Sequence, residues 1–125
     1  TSTEVISKNN KQKIYLEGGK KIWIEWLGEE KSIPYYFCDQ NSKCNDKILI
    51  FDSRNPVKNI DFFPGRRDII MYSSQNGVFA IEVDGRGGRI TQPVYKGKNP
   101  NFALSQSGSG IYVFDDNHLI KIEEI

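Results

Sequence analysis

The chain has 125 residues, 38% of them hydrophobic and 26% charged, with 17 basic against 16 acidic side chains and a net charge of +1. That is the size and composition of one soluble globular domain with its own core, not of a disordered or membrane-spanning segment. Charge so nearly balanced removes the electrostatic basis for holding a phosphate backbone, so no nucleic-acid partner is expected.

The apolar stretches, such as 48–51 and 77–81, fall far short of the roughly 20 residues a bilayer-spanning helix needs, and no signal-peptide core is present. Membrane insertion by this segment is not expected. The first residue is Thr1, which suits a processed form or a piece of a longer protein whose anchor or export signal lies elsewhere.

Strand signals start at 14–17 and 21–27, which flank Gly18-Gly19, a pair able to take the positive φ of a two-residue hairpin turn. The second segment alternates, with Ile22, Ile24 and Trp26 on one face and Trp23, Glu25 and Leu27 on the other. Segments 34–38 and 47–51 read as two more strands, completing a four-stranded meander. They are joined by a polar loop bracketed by Cys38 and Cys44. Asp39, Asn41 and Ser42 are turn formers that bring the two cysteines together, so a disulfide is expected, and with it an oxidising compartment. The alternative is two unpaired thiols in a cytosolic loop. Zinc needs four ligands, and two cysteines with the single, distant His118 do not supply them, so no metal is expected.

The pattern then repeats. Segment 59–63, the turn 64–67, segment 68–72, the turn Gln75-Asn76-Gly77, segment 77–83, the turn 84–88 and segment 90–95 make a second meander. A third begins at 101–104, continues through 111–114 and ends at 119–122, with three strands. Phe62 and Phe102 lie 40 residues apart, Ile69 and Ile111 lie 42 apart, and Ile81 and Ile122 lie 41 apart. Four-stranded repeats of about 40–45 residues are the signature of propeller blades.

The fold expected is therefore all-β: a β-propeller-like array of about three antiparallel four-stranded meanders in one domain, 1–125, with units at 8–56, 57–98 and 99–125. Residues 4–7 could close the last unit as its missing outer strand. Propellers usually have four to eight blades, so three units leave three arrangements open. The chain is part of a longer propeller, or two copies build a six-bladed ring as a homodimer, or the units form an open stacked array.

No motif carries chemistry. The run Gly85-Arg86-Gly87-Gly88 has a strand after it where a phosphate loop needs a helix, so 84–88 reads as a hairpin turn. Gly108-Ser109-Gly110 lacks the spacing of a nucleophile elbow. His118 sits in a turn with no serine signature near it. The pairs Glu29-Glu30, Asp115-Asp116 and Glu123-Glu124 are adjacent residues, which on a strand point to opposite faces and cannot flank one bond. No catalytic residue and no cofactor are expected. Candidate binding residues are the aromatics Trp23, Trp26, Tyr35 and Tyr36, suited to stacking on a sugar or peptide, and Arg66 and Arg67, suited to an anionic group. Their alternative roles are packing between sheets and a hairpin ion pair with Asp68.

The stretches Asp61-Phe-Phe-Pro-Gly-Arg-Arg-Asp-Ile-Ile, Asn76-Gly-Val-Phe-Ala-Ile-Glu-Val-Asp-Gly-Arg-Gly and Gln92-Pro-Val-Tyr-Lys-Gly-Lys-Asn-Pro-Asn-Phe resemble the C-terminal β-propeller region of PEGA-domain-containing proteins of candidate-phyla bacteria. Ile22-Trp-Ile-Glu-Trp-Leu-Gly and Pro34-Tyr-Tyr-Phe-Cys are similar to the preceding blade, and Ser105-Gln-Ser-Gly-Ser-Gly-Ile-Tyr is similar to a degenerate TolB-type blade turn. The resemblance implies an extracytoplasmic, surface-exposed location and an anchor in a segment absent here, and it supplies no catalytic residues. The function expected is a non-enzymatic interaction module that holds a protein or glycan. The alternatives are an assembly domain whose blade edges pair with another chain, and part of a larger propeller hydrolase.

Overall fold

The computed structural model describes residues 7–9, 11–105 and 110–122. Among the described residues eleven strands, all paired antiparallel, form three sheets. The first is β1 (Ser7–Asn9), β2 (Gln12–Glu17), β3 (Lys21–Trp26) and β4 (Lys47–Asp52) in that spatial order. The second is β5 (Asn59–Phe62), β6 (Ile69–Ser74), β7 (Gly77–Glu82) and β8 (Thr91–Lys96). The third is β9 (Asn101–Leu104), β10 (Ile111–Asp115) and β11 (His118–Ile122). No helix among the described residues is long and apolar enough to cross a membrane.

Alternation decides which face each strand buries. In β2 and β3 the residues Ile14, Leu16, Ile22, Ile24 and Trp26 face the core, while Lys13, Tyr15, Trp23 and Glu25 face outward. The hairpin between them is a three-residue loop, not the two-residue turn expected: Glu17 pairs with Lys21, and Gly18 and Gly19 take φ of 60° and 72°. Both values lie in the left-handed region that costs a side chain about 1–2 kcal/mol and glycine nothing.

Strand β6, inside the second sheet, is covered on both faces, which explains why it reads Ile-Ile-Met-Tyr without polar interruption. Ile60, Phe62, Ile70, Tyr72 and Ile81 pack toward the first sheet. Met71 and Val78 pack the other way, against Phe102, Ile111 and Val113 of the third. A ladder of rings, Phe51 on Tyr72 on Phe79 at 5.0 and 5.4 Å, stitches the first two sheets together.

Ser73 shares the inner parity of Met71, and its Oγ is buried without a hydrogen-bond partner. An orphaned buried hydroxyl carries its desolvation penalty uncompensated, about 1–3 kcal/mol. Ser73→Ala is therefore expected to raise the unfolding midpoint in urea, with a gain of about 1 kcal/mol; a loss of stability there contradicts the assignment.

Register refines the repeat. Ile70 pairs with Ile81, and Ile111 with Ile122, so Ile81 and Ile122 are structurally equivalent at a spacing of 41. The other two sequence matches slip. Phe62 and Leu104 both pair with the strand-two isoleucine, and Phe102, which pairs with Val113, is the counterpart of Ile60, which pairs with Tyr72, so Phe62/Phe102 is out by two positions. Ile69/Ile111 is out by one, since Ile70 is the equivalent. Both four-stranded sheets also carry an irregularity at the same place: the pairing of strand three with strand four shifts between Ile22 and Trp23, and again between Val78 and Phe79.

One predicted strand is absent. Segment 34–38 is a 3₁₀ turn at Tyr35–Phe37, not a strand, and the fourth strand of the first sheet is β1 instead. In a strand the neighbours Tyr36 and Phe37 would face opposite ways; the tight turn after Pro34 lets both rings go inward. Ser7, part of the proposed closing strand, begins β1 and pairs with Ile14; residues 4–6 lie outside the described residues, as do 106–109 of the third unit's turn and the pair Glu123-Glu124.

Candidate interaction cleft

Between β3 and β4 the chain makes a 20-residue excursion, 27–46, that closes over one end of the first sheet. Trp26 Nε1 donates to the Glu29 carbonyl at 2.9 Å, and the Tyr36 hydroxyl donates to Gln12 Oε1. Gln12 Nε2 in turn donates to the Arg67 carbonyl at 2.8 Å. That chain spans from the excursion through the first sheet to the β5–β6 turn, and it satisfies a glutamine with no solvent exposure. Burial holds the Tyr36 hydroxyl above its ordinary pKa, so it stays a proton donor.

A disulfide joins Cys38 to Cys44, which also face each other as an isolated antiparallel bridge. Inside the loop Asp39 Oδ1 accepts from the amides of Asn41 at 2.8 Å and Lys43 at 2.9 Å. The bracketed loop is thus shaped twice, by the covalent closure and by one aspartate.

This loop forms one wall of a cleft of about 430 Å³, and the β7–β8 turn forms the other. Gln40, Asn41 and Asn45 line the first wall, Arg86 and Arg89 the second, and Tyr36, Phe37 and Ile48 the apolar floor. Its volume falls in the range of small-molecule sites, roughly 300–1,000 Å³. Arg86 is committed: Nε and Nη2 reach Asp84 at 3.0 and 2.8 Å, and its guanidinium lies 5.0 Å from the Tyr35 ring. The same pairing holds the Asp84 carboxyl below its ordinary pKa. At the β5–β6 turn Arg66 makes the same bidentate clasp on Asp68, at 2.9 and 2.7 Å, and keeps that carboxyl low as well.

Of the six candidate residues, the structure gathers four on this side of the molecule. Tyr35 is 58% exposed and meets Tyr36 edge-on at 5.3 Å, with Arg66 and Arg67 on the turn that Gln12 ties to Tyr36. The aromatic cluster itself divides. Trp26 and Tyr36 are 8% and 5% exposed and belong to the core, while Trp23 lies on the outer face of the first sheet. There it donates to Glu17 at 2.9 Å, with the Lys47 ammonium 4.9 Å above its ring. A single ligand cannot stack on all four. His118 opens β11 rather than sitting in the turn before it, and no hydrogen bond ties it to a serine among the described residues.

Sequence reasoning passed over Arg86, Arg89 and the amides of the disulfide loop. The signal was present: two arginines bracket Gly87-Gly88 in a turn, and a polar loop is closed by cysteines. That these two loops meet across the first and second sheets follows only from how the sheets stack. Among the described residues no group of three or more His, Cys, Asp or Glu is placed to hold a metal ion. Compared with known protein families, curated proteins and solved structures, the chain matches none.

Proposed function

We propose that the chain is a non-enzymatic interaction module on a propeller-type scaffold, working outside the cytoplasm, which holds a protein or glycan ligand in the cleft between the disulfide loop and the β7–β8 turn. The observation that carries this reading is the lining itself. Amide groups, a guanidinium and an aromatic floor converge on one concavity, and the exposed ring of Tyr35 lies 5.0 Å from the guanidinium of Arg86, a lining residue. Such a set recognises hydroxyl, carboxylate and ring surfaces without breaking bonds. The disulfide supports an extracytoplasmic setting, because such bonds persist in oxidising compartments. The repeated sheet topology and the shared irregularity between strands three and four support the propeller-type reading.

A glycan and peptide array tests it. Wild-type protein is expected to bind a defined subset of features, Tyr35→Ala to lose several-fold in signal on them, and Trp23→Ala to keep it. Equal loss with Trp23→Ala would move the site to the outer face of the first sheet.

One observation favours a second reading, an assembly domain. Among the described residues the third sheet has three strands where the other two have four, so one edge of β11 pairs with no described strand. Leu119 and Phe114, opposite each other on its outer face, are 62% and 46% exposed. Another chain could add a strand there. A mass that rises with concentration supports this reading, and a constant monomer mass counts against it.

A further inference from the structure

We infer that Arg89 is the anchor of the cleft and that its ligand is a carboxylate-bearing sugar, the uronic-acid residue of an acidic glycan; this rests on the cleft being the binding site. Arg66 and Arg86 each have a carboxylate clasped to the guanidinium. Arg89 has none within 4 Å among the described residues. Its Nε donates to the Val83 carbonyl at 3.0 Å, which leaves the terminal nitrogens with no protein partner among those residues. Arg89 is nonetheless half-buried, and a cation withdrawn from water normally has an anion to meet.

The guanidinium packs beside bare backbone. It lies against Gly85, where a Cβ would come within 3.0 Å of Nη2 and 3.1 Å of Cζ. The backbone φ at Gly85 is not in the left-handed region, so what the position requires is space, not conformational freedom. A hydrogen bond to the Val83 carbonyl fixes Nε, and the terminal nitrogens lie beside bare backbone. A fork of two parallel N–H groups is the geometry that takes a carboxylate.

Charge selects among anions. Asp39 and Asp84 share the cleft with Arg86 and Arg89, or stand beside it; Asp84 neutralises Arg86, and Asp39 is turned back on the amides of its own loop. With Asp84 spent on Arg86, a dianionic phosphate would meet one cation and the Asp39 carboxylate. A monoanion meets its match. The rest of the lining fits a polyhydroxylated ring, with the Gln40, Asn41 and Asn45 amides for hydroxyls and the Tyr36, Phe37 and Ile48 floor for an apolar ring face.

The test titrates the ¹⁵N-labelled protein with a glucuronic-acid-containing disaccharide, its neutral glucose counterpart and inorganic phosphate, following amide shifts. The acidic sugar is expected to move amides of residues 38–45 and 84–89 and to bind about tenfold or more tightly than the neutral one, as a charge-assisted fork implies. Phosphate is expected to be at least as weak as the neutral sugar. Arg89→Gln should abolish the acidic preference, and Gly85→Ala, which shifts the guanidinium end without removing its charge, should weaken it. The comparison of sugars on the wild type needs neither variant to fold. Equal binding of acidic and neutral sugars in the cleft overturns the carboxylate inference while leaving the cleft as the binding site. Preference for phosphate overturns it too. Acidic sugar bound away from residues 38–45 and 84–89 overturns both readings, and no shift with any probe overturns the uronate assignment while the array judges the cleft separately.

Discussion

Replacing Phe37 by alanine is expected to lower the unfolding free energy by about 3–5 kcal/mol, measured by urea denaturation. The side chain is 1% exposed and sits between Trp26, 6.1 Å away, and Tyr36, 5.4 Å away. It therefore plugs the end of the first sheet and forms part of the cleft floor at once. Removing it leaves a cavity that its neighbours, each anchored by a side-chain hydrogen bond, can collapse into only partly. For a domain whose whole stability is of the order of 5–15 kcal/mol, such a loss is large. A loss below about 1 kcal/mol would mean that the excursion folds independently of the sheet.

Breaking the disulfide is the second large effect. Closing a loop with a sequence separation of six removes denatured-chain entropy worth about 2–3 kcal/mol on the chain-entropy model. Melting with and without reductant, or of Cys38→Ala/Cys44→Ala against wild type, should show a drop of that size. Ligand binding should weaken further than stability alone explains, because the loop that carries Gln40 and Asn41 loses its covalent closure while the two Asp39 hydrogen bonds persist. An unchanged melting temperature would place the loop outside the cooperative unit.

The sequence was informative wherever burial imposes a period. β2, β3, β6, β7 and β10 are legible because each alternates or runs apolar between turn formers, and the three units follow from their spacing. It misled at 34–38, where three consecutive aromatics have strand propensity but a proline ahead of them and a core on one side favour a tight turn. It also misled in the finer register, because a repeat of about 41 residues allows matches one or two positions out until the strand pairing is known. The disulfide was readable from turn chemistry alone. The cleft was only half readable: Tyr35, Tyr36, Arg66 and Arg67 belong to its side of the molecule, but Arg89 acquires its character from having no carboxylate within 4 Å among the described residues and from the bare backbone at Gly85. Neither is a property of local sequence.

On the proposed function, ligand is held in the cleft rather than on the open third sheet. Array binding of wild type, Arg89→Gln and the double variant Phe114→Ser/Leu119→Ser tests it most directly. The prediction is that Arg89→Gln loses the bound features at least several-fold while the third-sheet variant keeps them at wild-type strength. Binding that survives Arg89→Gln and disappears with Phe114→Ser/Leu119→Ser would contradict it and make the uncovered face of the third sheet the functional surface.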